Sequence, residues 1–476
     1  MTQSSRKAAL LALLRQFSRA DRRREFSFSS GVVGAVPMND ARALDYAEGG
    51  APFALLALLA LESAQFILAA LLPVRNCALV ARAILRRALN RPPGPLHAKS
   101  VISLGGGGGG ADPYFGAFLA SAHEPYNYLK IVGGFSLRER GWSFAETSLS
   151  YRTLLGLALQ GLLHPLLALG RLAAGAGQIE GWNAKLLFLM LGFKETRGGI
   201  AFQNRLIAAA LAAHVANDAV RTVIFPMEGR SWEKRLLARV NARGARSTGY
   251  LHCALTPRHA GLLNPGFFEA DELPTVLRTP GAMAVQAIAP NLTSVQVRSS
   301  YFIRGDRPEA GASPGGEALL FALTGNVEES KKILRAIAGL KLGGDARPVV
   351  RLNPNAASYG RLLRYTRRLG LDTWHEAHAA PRLCFFRSSS VAIGYLRMNV
   401  VPVYLDLEDA ISNNSFDVDG TRRFERVTVG NGFALEVAAL ADKYRSAFLS
   451  DGPELADYYL DQSYRSKTLA GLNELS

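Results

Sequence analysis

Two hydrophobic periods alternate along the chain. Short runs of β-branched and aromatic residues, bounded by turn residues, predict buried strands. Stretches with apolar residues three and four apart follow them and predict helices. The clearest unit is RTVIFPMEGRSWEKRLLARVNARGARSTGYLHC, residues 221–253. Here Thr222–Phe225 predicts a strand, Glu228, Gly229 and Arg230 a polar turn, Trp232–Arg243 an amphipathic helix and Thr248–His252 a second strand. Strand, crossover helix and strand make a parallel α/β unit, whose functional groups collect where strands end in loops.

The same pattern recurs on both sides of that unit. Before it, strands are expected at Ser100–Leu104 and Tyr128–Val132 and a helix at Phe202–Val215; after it come a strand near Thr275–Leu277, a helix near Ala282–Ala289 and a strand at Ser294–Ile303. The pattern restarts after GDRPEAGASPGG, residues 305–316, which has linker composition. Strands at Leu319–Leu323, Pro348–Leu352, Leu383–Phe386 and Val400–Leu405 then alternate with helices, one of them Ser358–Leu369. The expected organisation is a helical N-terminal region (1–95), a Rossmann-like domain (96–304), the linker (305–316), a second Rossmann-like domain (317–450) and a helical tail (451–476). RPPGP, residues 91–95, marks the first boundary.

Composition adds an electrostatic preference. The 476 residues carry 55 Lys and Arg against 39 Asp and Glu, a net charge of +16. Anionic partners are favoured, and with no basic and aromatic nucleic-acid module in the sequence, the expectation is a phosphorylated ligand or an anionic membrane face. Cys77, Cys253 and Cys384 are widely spaced and odd in number, which suggests neither a disulfide framework nor a metal cluster and suits a reducing cytoplasm. Ala51–Pro73 has the length of a membrane span but holds Glu62, Ser63 and Gln65 near its middle, so a buried or membrane-surface helix is expected. The arginines that follow it (Arg75, Arg82, Arg86, Arg87, Arg91) fit either anionic lipid or a solvated helix face. Thr153–Gly177 is read as helices covering a sheet and exposing an apolar patch.

Candidate chemistry sits at the predicted strand ends. Six glycines, Gly105–Gly110, follow the first strand; they suit a phosphate cradle or a low-complexity loop, and Asp112 suits a helix cap. In the second domain, Thr324, Gly325 and Asn326, then Asn353 and Pro354, then Ser388, Ser389 and Ser390 end three strands. They supply hydroxyls, amides and helix N-termini suited to a phosphate, although ordinary N-capping explains the serines as well. In the first domain Glu228 ends a strand beside Arg230, and His252 ends the next; a salt bridge fixing the turn and a packed histidine are the alternatives to a chemical role.

The motifs MEGRSWEKRLL, LNPN and SSSVAIGYLRMNVVPVYLD, set in two α/β domains, resemble GT-B glycosyltransferases. More narrowly, they are similar to bacterial surface-carbohydrate biosynthesis proteins and to transferases that use CMP-activated sialic acid or Kdo. The resemblance runs diffusely over Ser100–Leu460. It implies two Rossmann-like domains facing a cleft, with the donor nucleotide held by the second. Ser388 and Ser389 match the family's serine pair, while Asn353-Pro354 stands in the His-Pro place, and an asparagine donates hydrogen bonds but is no general acid. The implied activity is transfer of a sugar from a nucleotide-sugar donor to a surface glycan or lipid-linked acceptor, in the cytoplasm at the inner face of the plasma membrane. Such transfer needs a carboxylate base on the acceptor side, and Glu228 is the first choice, with Glu233 expected to be structural and paired with an arginine of its helix. Arg230, His252, Arg351 and Arg387 are expected to line the cleft, with no metal ligand and no cofactor beyond the donor. A transferase of CDP-linked glycerol or ribitol phosphate and a non-catalytic scaffold are the alternative functions.

Overall fold

The computed structural model describes residues 3–22, 26, 52–68, 72–90, 96–103, 126–131, 143–251, 253–299, 318–342, 346–353, 358–374, 381–387, 390–408, 412–418, 424–445 and 449–459. The glycine run, Asp112, RPPGP, the 305–316 linker, His252, Pro354, Ser388 and Ser389 lie outside them, as does the side chain of Ser390.

Among the described residues, the chain begins with helices α1 (Gln3–Ala20), α2 (Pro52–Leu68) and α3 (Leu72–Leu89). The first sheet contains β1 (Lys99–Ser103), β2 (Tyr126–Lys130), β3 (Ser143–Phe144), β4 (Thr222–Pro226), β5 (Arg246–Tyr250), β6 (Val276–Thr279) and β7 (Gln296–Ser299). Its helices are α4 (Tyr151–Ala176), α5 (Trp182–Arg197), α6 (Ile200–Val215), α7 (Ser231–Ala242), α8 (Ala260–Leu263) and α9 (Ala282–Ile288). The spatial order is β3-β2-β1-β4-β5-β6-β7, and every pairing is parallel.

The second sheet is built from β8 (Ala318–Ala322), α10 (Val327–Ala338), β9 (Arg347–Arg351), α11 (Tyr359–Arg368), β10 (Asp372–Thr373), β11 (Leu383–Phe386), α12 (Ser390–Leu396), β12 (Val401–Asp406), β13 (Glu425–Thr428) and α13 (Phe433–Lys443). It too is parallel throughout, in the order β10-β9-β8-β11-β12-β13. Each sheet therefore winds outward from its first strand and then reverses, as in a doubly wound Rossmann sheet. The reversal falls between β1 and β4 in one and between β8 and β11 in the other. Strands buried on both faces must be apolar throughout, which is why Val223, Ile224 and Phe225, and Leu319, Leu320 and Phe321, are all buried. These are the two Rossmann-like, doubly wound α/β sheets expected from the sequence.

The last helix, α14 (Gly452–Tyr459), packs on both units. The Tyr458 hydroxyl donates to Gln286 of α9 at 2.9 Å, and Asp457 pairs with Arg397 just after α12. Gly452–Tyr459 is thus a strap across the two domains.

In the N-terminal region, Leu10, Leu13, Leu14 and Phe17 of α1 are buried in one cluster with Leu187, Phe188 and Leu191 of α5. Two expectations about the helical parts are corrected. Arg86 faces neither lipid nor bulk water. It is fully buried, bonds Glu146 at 2.9 Å and stacks over the Phe144 ring at 3.9 Å. Thr153–Gly177 falls in one helix, α4, which packs mainly on α3 and α5 rather than on the sheet. Its outer face carries Leu155, Leu159, Leu162, Leu163, Leu166 and Leu167, all 41–71% exposed. The carboxylate in the middle of α2 is explained by an ion pair, Glu62 to Arg197 at 3.1 Å.

Candidate functional site

Ligands of doubly wound sheets bind beyond the carboxyl ends of the strands, where the strand order reverses. In the first sheet that point lies between β1 and β4, and Glu228 is two residues past the end of β4. Gly229 turns the chain with φ of +92°, a backbone conformation costly for any residue with a Cβ. The turn aims three successive N–H groups at one carboxylate: Glu228, Gly229 and Arg230 donate to Glu233 Oε2 at 2.9, 2.6 and 2.9 Å. Glu233 is structural, as expected, but its hydrogen-bond partners are backbone amides rather than a helix arginine. Burial pushes its carboxyl up to about 8, against the downward pull of Arg230 and the amides.

Glu228, so positioned, is itself buried and engaged at both oxygens. Arg230 Nε and Nη2 donate to Oε2 at 2.7 and 2.5 Å, so the salt bridge weighed from sequence is present. Oε1 faces the Cys253 thiol, 3.6 Å away. Cys253 comes from the loop after β5, and the β4–β5 register, Phe225 opposite Gly249 and Pro226 opposite Tyr250, brings the two loops side by side.

A third group completes the cluster. His259 Nε2 lies 3.4 Å from Cys253 Sγ, and its Nδ1 lies 3.1 Å from the Thr256 amide and 3.3 Å from the Thr256 carbonyl. Thr256 therefore satisfies Nδ1 as acceptor or donor, and either neutral tautomer fits. Burial holds the imidazole below its ordinary range, so it is neutral at pH 7. The order of contacts is Glu228, Cys253, His259, with the carboxylate on the thiol rather than on the imidazole. In a nucleophile–His–acid triad the acid orients the base; here it faces the thiol instead of the imidazole, so the arrangement is not that of a cysteine hydrolase.

The second switch point lies between β8 and β11. Beyond β8, the Asn326 side chain accepts from the Glu328 and Glu329 amides at 3.0 and 3.3 Å, and Thr324 Oγ1 accepts from the Asn326 amide at 3.1 Å. The Gly325 carbonyl accepts from Ser358 Oγ at 2.6 Å. Thr324 and Asn326 are thus committed to the N-terminus of α10, the capping use of such residues, and Gly325 to the residue that precedes α11. Asn353 is exposed two residues past β9. Arg351 reaches the Tyr395 hydroxyl at 3.5 Å, and burial pushes that phenol up to about 12. Arg387, expected at a cleft wall, is completely buried; it bonds the Tyr404 hydroxyl and donates to the Leu405 carbonyl at 3.3 Å. Asp417, after β12, pairs with Arg426 of β13 at 2.7 Å.

The two switch points are joined by charge. Glu329, in the first turn of α10, lies 3.5 Å from Arg258 of the first domain and 3.5 Å from Arg387 at the end of β11. The carboxyl edges of the two sheets therefore meet, with Glu228, Cys253 and His259 on one side and the ends of β8 and β11 on the other.

Cys253, Arg258, His259 and Glu329 were not singled out by sequence reasoning. Cysteine spacing alone hid the cluster, because its other members are a glutamate 25 positions upstream and a histidine in a proline-containing loop. HCALTPRH, residues 252–259, placed at the end of a predicted strand, was the available signal.

No protein-family model matches the chain, and no curated protein matches it. Among solved structures, the apo form of the lipopolysaccharide outer core galactosyltransferase WaaB is similar to it with a TM-score of 0.44, at 9% identity, over 79% of this chain and 98% of that one. UDP-N-acetylglucosamine 2-epimerase from Rickettsia bellii is similar with a TM-score of 0.42, at 9% identity, over 80% and 98%.

Proposed function

We propose that this chain is a metal-independent glycosyltransferase that moves a sugar from a nucleotide-sugar donor, in the narrower reading a CMP-linked nonulosonate or Kdo-type sugar, onto a surface glycan or lipid-linked acceptor. The observation that carries the reading is the position of Glu228. It stands at the reversal point of one parallel sheet, on the edge that Arg258, Glu329 and Arg387 join to the reversal point of the other.

In this reading Glu228 takes the proton of the acceptor hydroxyl as that oxygen attacks the anomeric carbon. Arg230, donating twice to Oε2, fixes the orientation of the carboxylate. The departing phosphate is assigned, on sequence grounds, to hydroxyl and N–H groups of Ser388, Ser389 and Ser390, since Thr324 and Asn326 are occupied in capping. In the same reading Asn353 donates a hydrogen bond to the nucleotide, and His252, which lies outside the described residues, is assigned to the acceptor side from sequence alone.

The leucine face of α4 supports peripheral attachment to the cytoplasmic face of an anionic membrane. The helix is long and apolar enough to span a bilayer by length and composition, yet one side is packed on the protein, which suits a helix lying in the interface.

The direct test presents the purified chain with CMP-, CDP- and UDP-linked donors and follows nucleotide release. Release from a CMP-linked sugar that depends on acceptor and on Glu228 is the expected result. Turnover of a CDP-linked alcohol would instead favour the phosphotransferase, and binding of none of the three nucleotides would end the transferase reading.

A further inference from the structure

We propose that Glu228, Cys253 and His259 form a three-ligand site for a Zn²⁺-class cation, with the fourth coordination position left for water. The three donor atoms, one oxygen, one sulfur and one nitrogen, lie within 4.8 Å of one another. Zinc bonds of about 2.3 Å to sulfur and about 2.0–2.2 Å to nitrogen or oxygen, set at tetrahedral angles, place neighbouring ligand atoms about 3.5 Å apart. The contacts from Cys253 Sγ are 3.6 Å to Glu228 Oε1 and 3.4 Å to His259 Nε2. Two edges of the tetrahedron are thus already at length, and closing the third requires only a small approach of the carboxylate and the imidazole.

The surroundings fit the same occupant. A histidine that ligates through Nε2 needs an acceptor on its Nδ1–H, and the Thr256 carbonyl stands 3.3 Å from that atom. Arg230 holds Glu228 through Oε2, which leaves Oε1 turned toward the thiol and fixes the ligand's direction. Glutamate and thiolate together offset the double charge of the ion, and binding releases the thiol proton to solvent. The positive charges of Arg230 and Arg258 oppose cation binding. A borderline-soft ion that gains a thiolate bond overcomes that opposition more readily than Mg²⁺ or Ca²⁺, which prefer oxygen ligands. The cation is an occupant of the site rather than a participant in transfer: with Oε1 on the metal, Glu228 no longer accepts a proton, so the loaded protein is the inactive form. That last consequence rests on the transferase reading; the binding does not.

The test uses the full-length chain, stripped with chelator and titrated with Co²⁺. One equivalent should produce the near-ultraviolet thiolate-to-cobalt charge-transfer absorption, and one equivalent of Zn²⁺ should erase it. Cys253→Ser, close in size to the native residue, should abolish the band, and His259→Ala should weaken Co²⁺ binding at least tenfold. Cys77→Ser, as a control, should leave both unchanged. Stoichiometric Co²⁺ binding without the band, a band that survives Cys253→Ser in protein whose circular dichroism is native, or no binding at all would overturn the proposal. These readouts need no sugar donor, so their failure leaves the transferase reading standing, and the failure of that reading leaves the site standing.

Discussion

The Glu329 carboxylate of the second domain lies 3.5 Å from the Arg258 guanidinium of the first, and both side chains are largely buried. Its other oxygen lies 3.5 Å from Arg387, which has no exposed surface. One carboxylate therefore serves two arginines at the junction of two sheets. Removing it leaves a buried cation without its countercharge, a larger loss than removing either arginine from an exposed pair.

Glu329→Gln is accordingly expected to destabilise the protein by about 3 kcal/mol, measured by urea unfolding. Arg258→Ala, which leaves the Glu329–Arg387 pair intact, should cost less. Equal stability of Glu329→Gln and wild type would show that the bridge does not join the domains.

Glu233 makes a pH prediction. Its carboxyl is held near 8 in the folded protein against an ordinary 4.5, so between those values the native state keeps a proton that the unfolded chain has released. Stability from this group is present in full below about 4.5 and falls as pH rises through 8, by at most about 1.4 kcal/mol per pH unit. His214, buried against Ser100 at 2.9 Å and lowered to about 4, works in the opposite direction: its contribution is lost as pH falls from 6.5 toward 4. The window from 6.5 to 8 isolates Glu233. Glu233→Gln, which keeps an acceptor for the three amides, should remove the decline in that window; an unchanged slope would contradict the assignment.

The elements were legible where chemistry is local. The run Thr222–Phe225 can only be a buried strand, and β4 follows it to within a residue. The linker composition and the restarted strand–helix alternation announced a second sheet, and with it the two reversal points. Contacts made by packing across sequence distance were not legible. Arg86 read as a surface or lipid-facing cation, because nothing local reveals Glu146 and the Phe144 ring some sixty positions away. The Glu228, Cys253 and His259 cluster depends on the β4–β5 register in the same way. The place of Glu228 past a strand end is legible in the sequence, whereas the spacing of the three cysteines carries no sign of its thiol neighbour.

The exposed leucines of α4 yield a test of membrane attachment. The double substitution Leu159→Asp with Leu166→Asp removes two apolar side chains, each worth about 1.5–3 kcal/mol on burial. It should lower co-sedimentation with anionic vesicles at least tenfold while leaving the circular dichroism unchanged. Undiminished sedimentation would place the contact elsewhere.

The central claim is that the joined sheet edges hold a nucleotide-sugar, with Glu228 as base. The most direct measurement is calorimetric titration of CMP into wild-type and Glu228→Gln protein in the presence of chelator, paired with turnover of a CMP-linked donor. The account predicts saturable CMP binding to both proteins and a turnover at least about 100-fold lower in Glu228→Gln. Absence of CMP binding, or full turnover in Glu228→Gln, would contradict it.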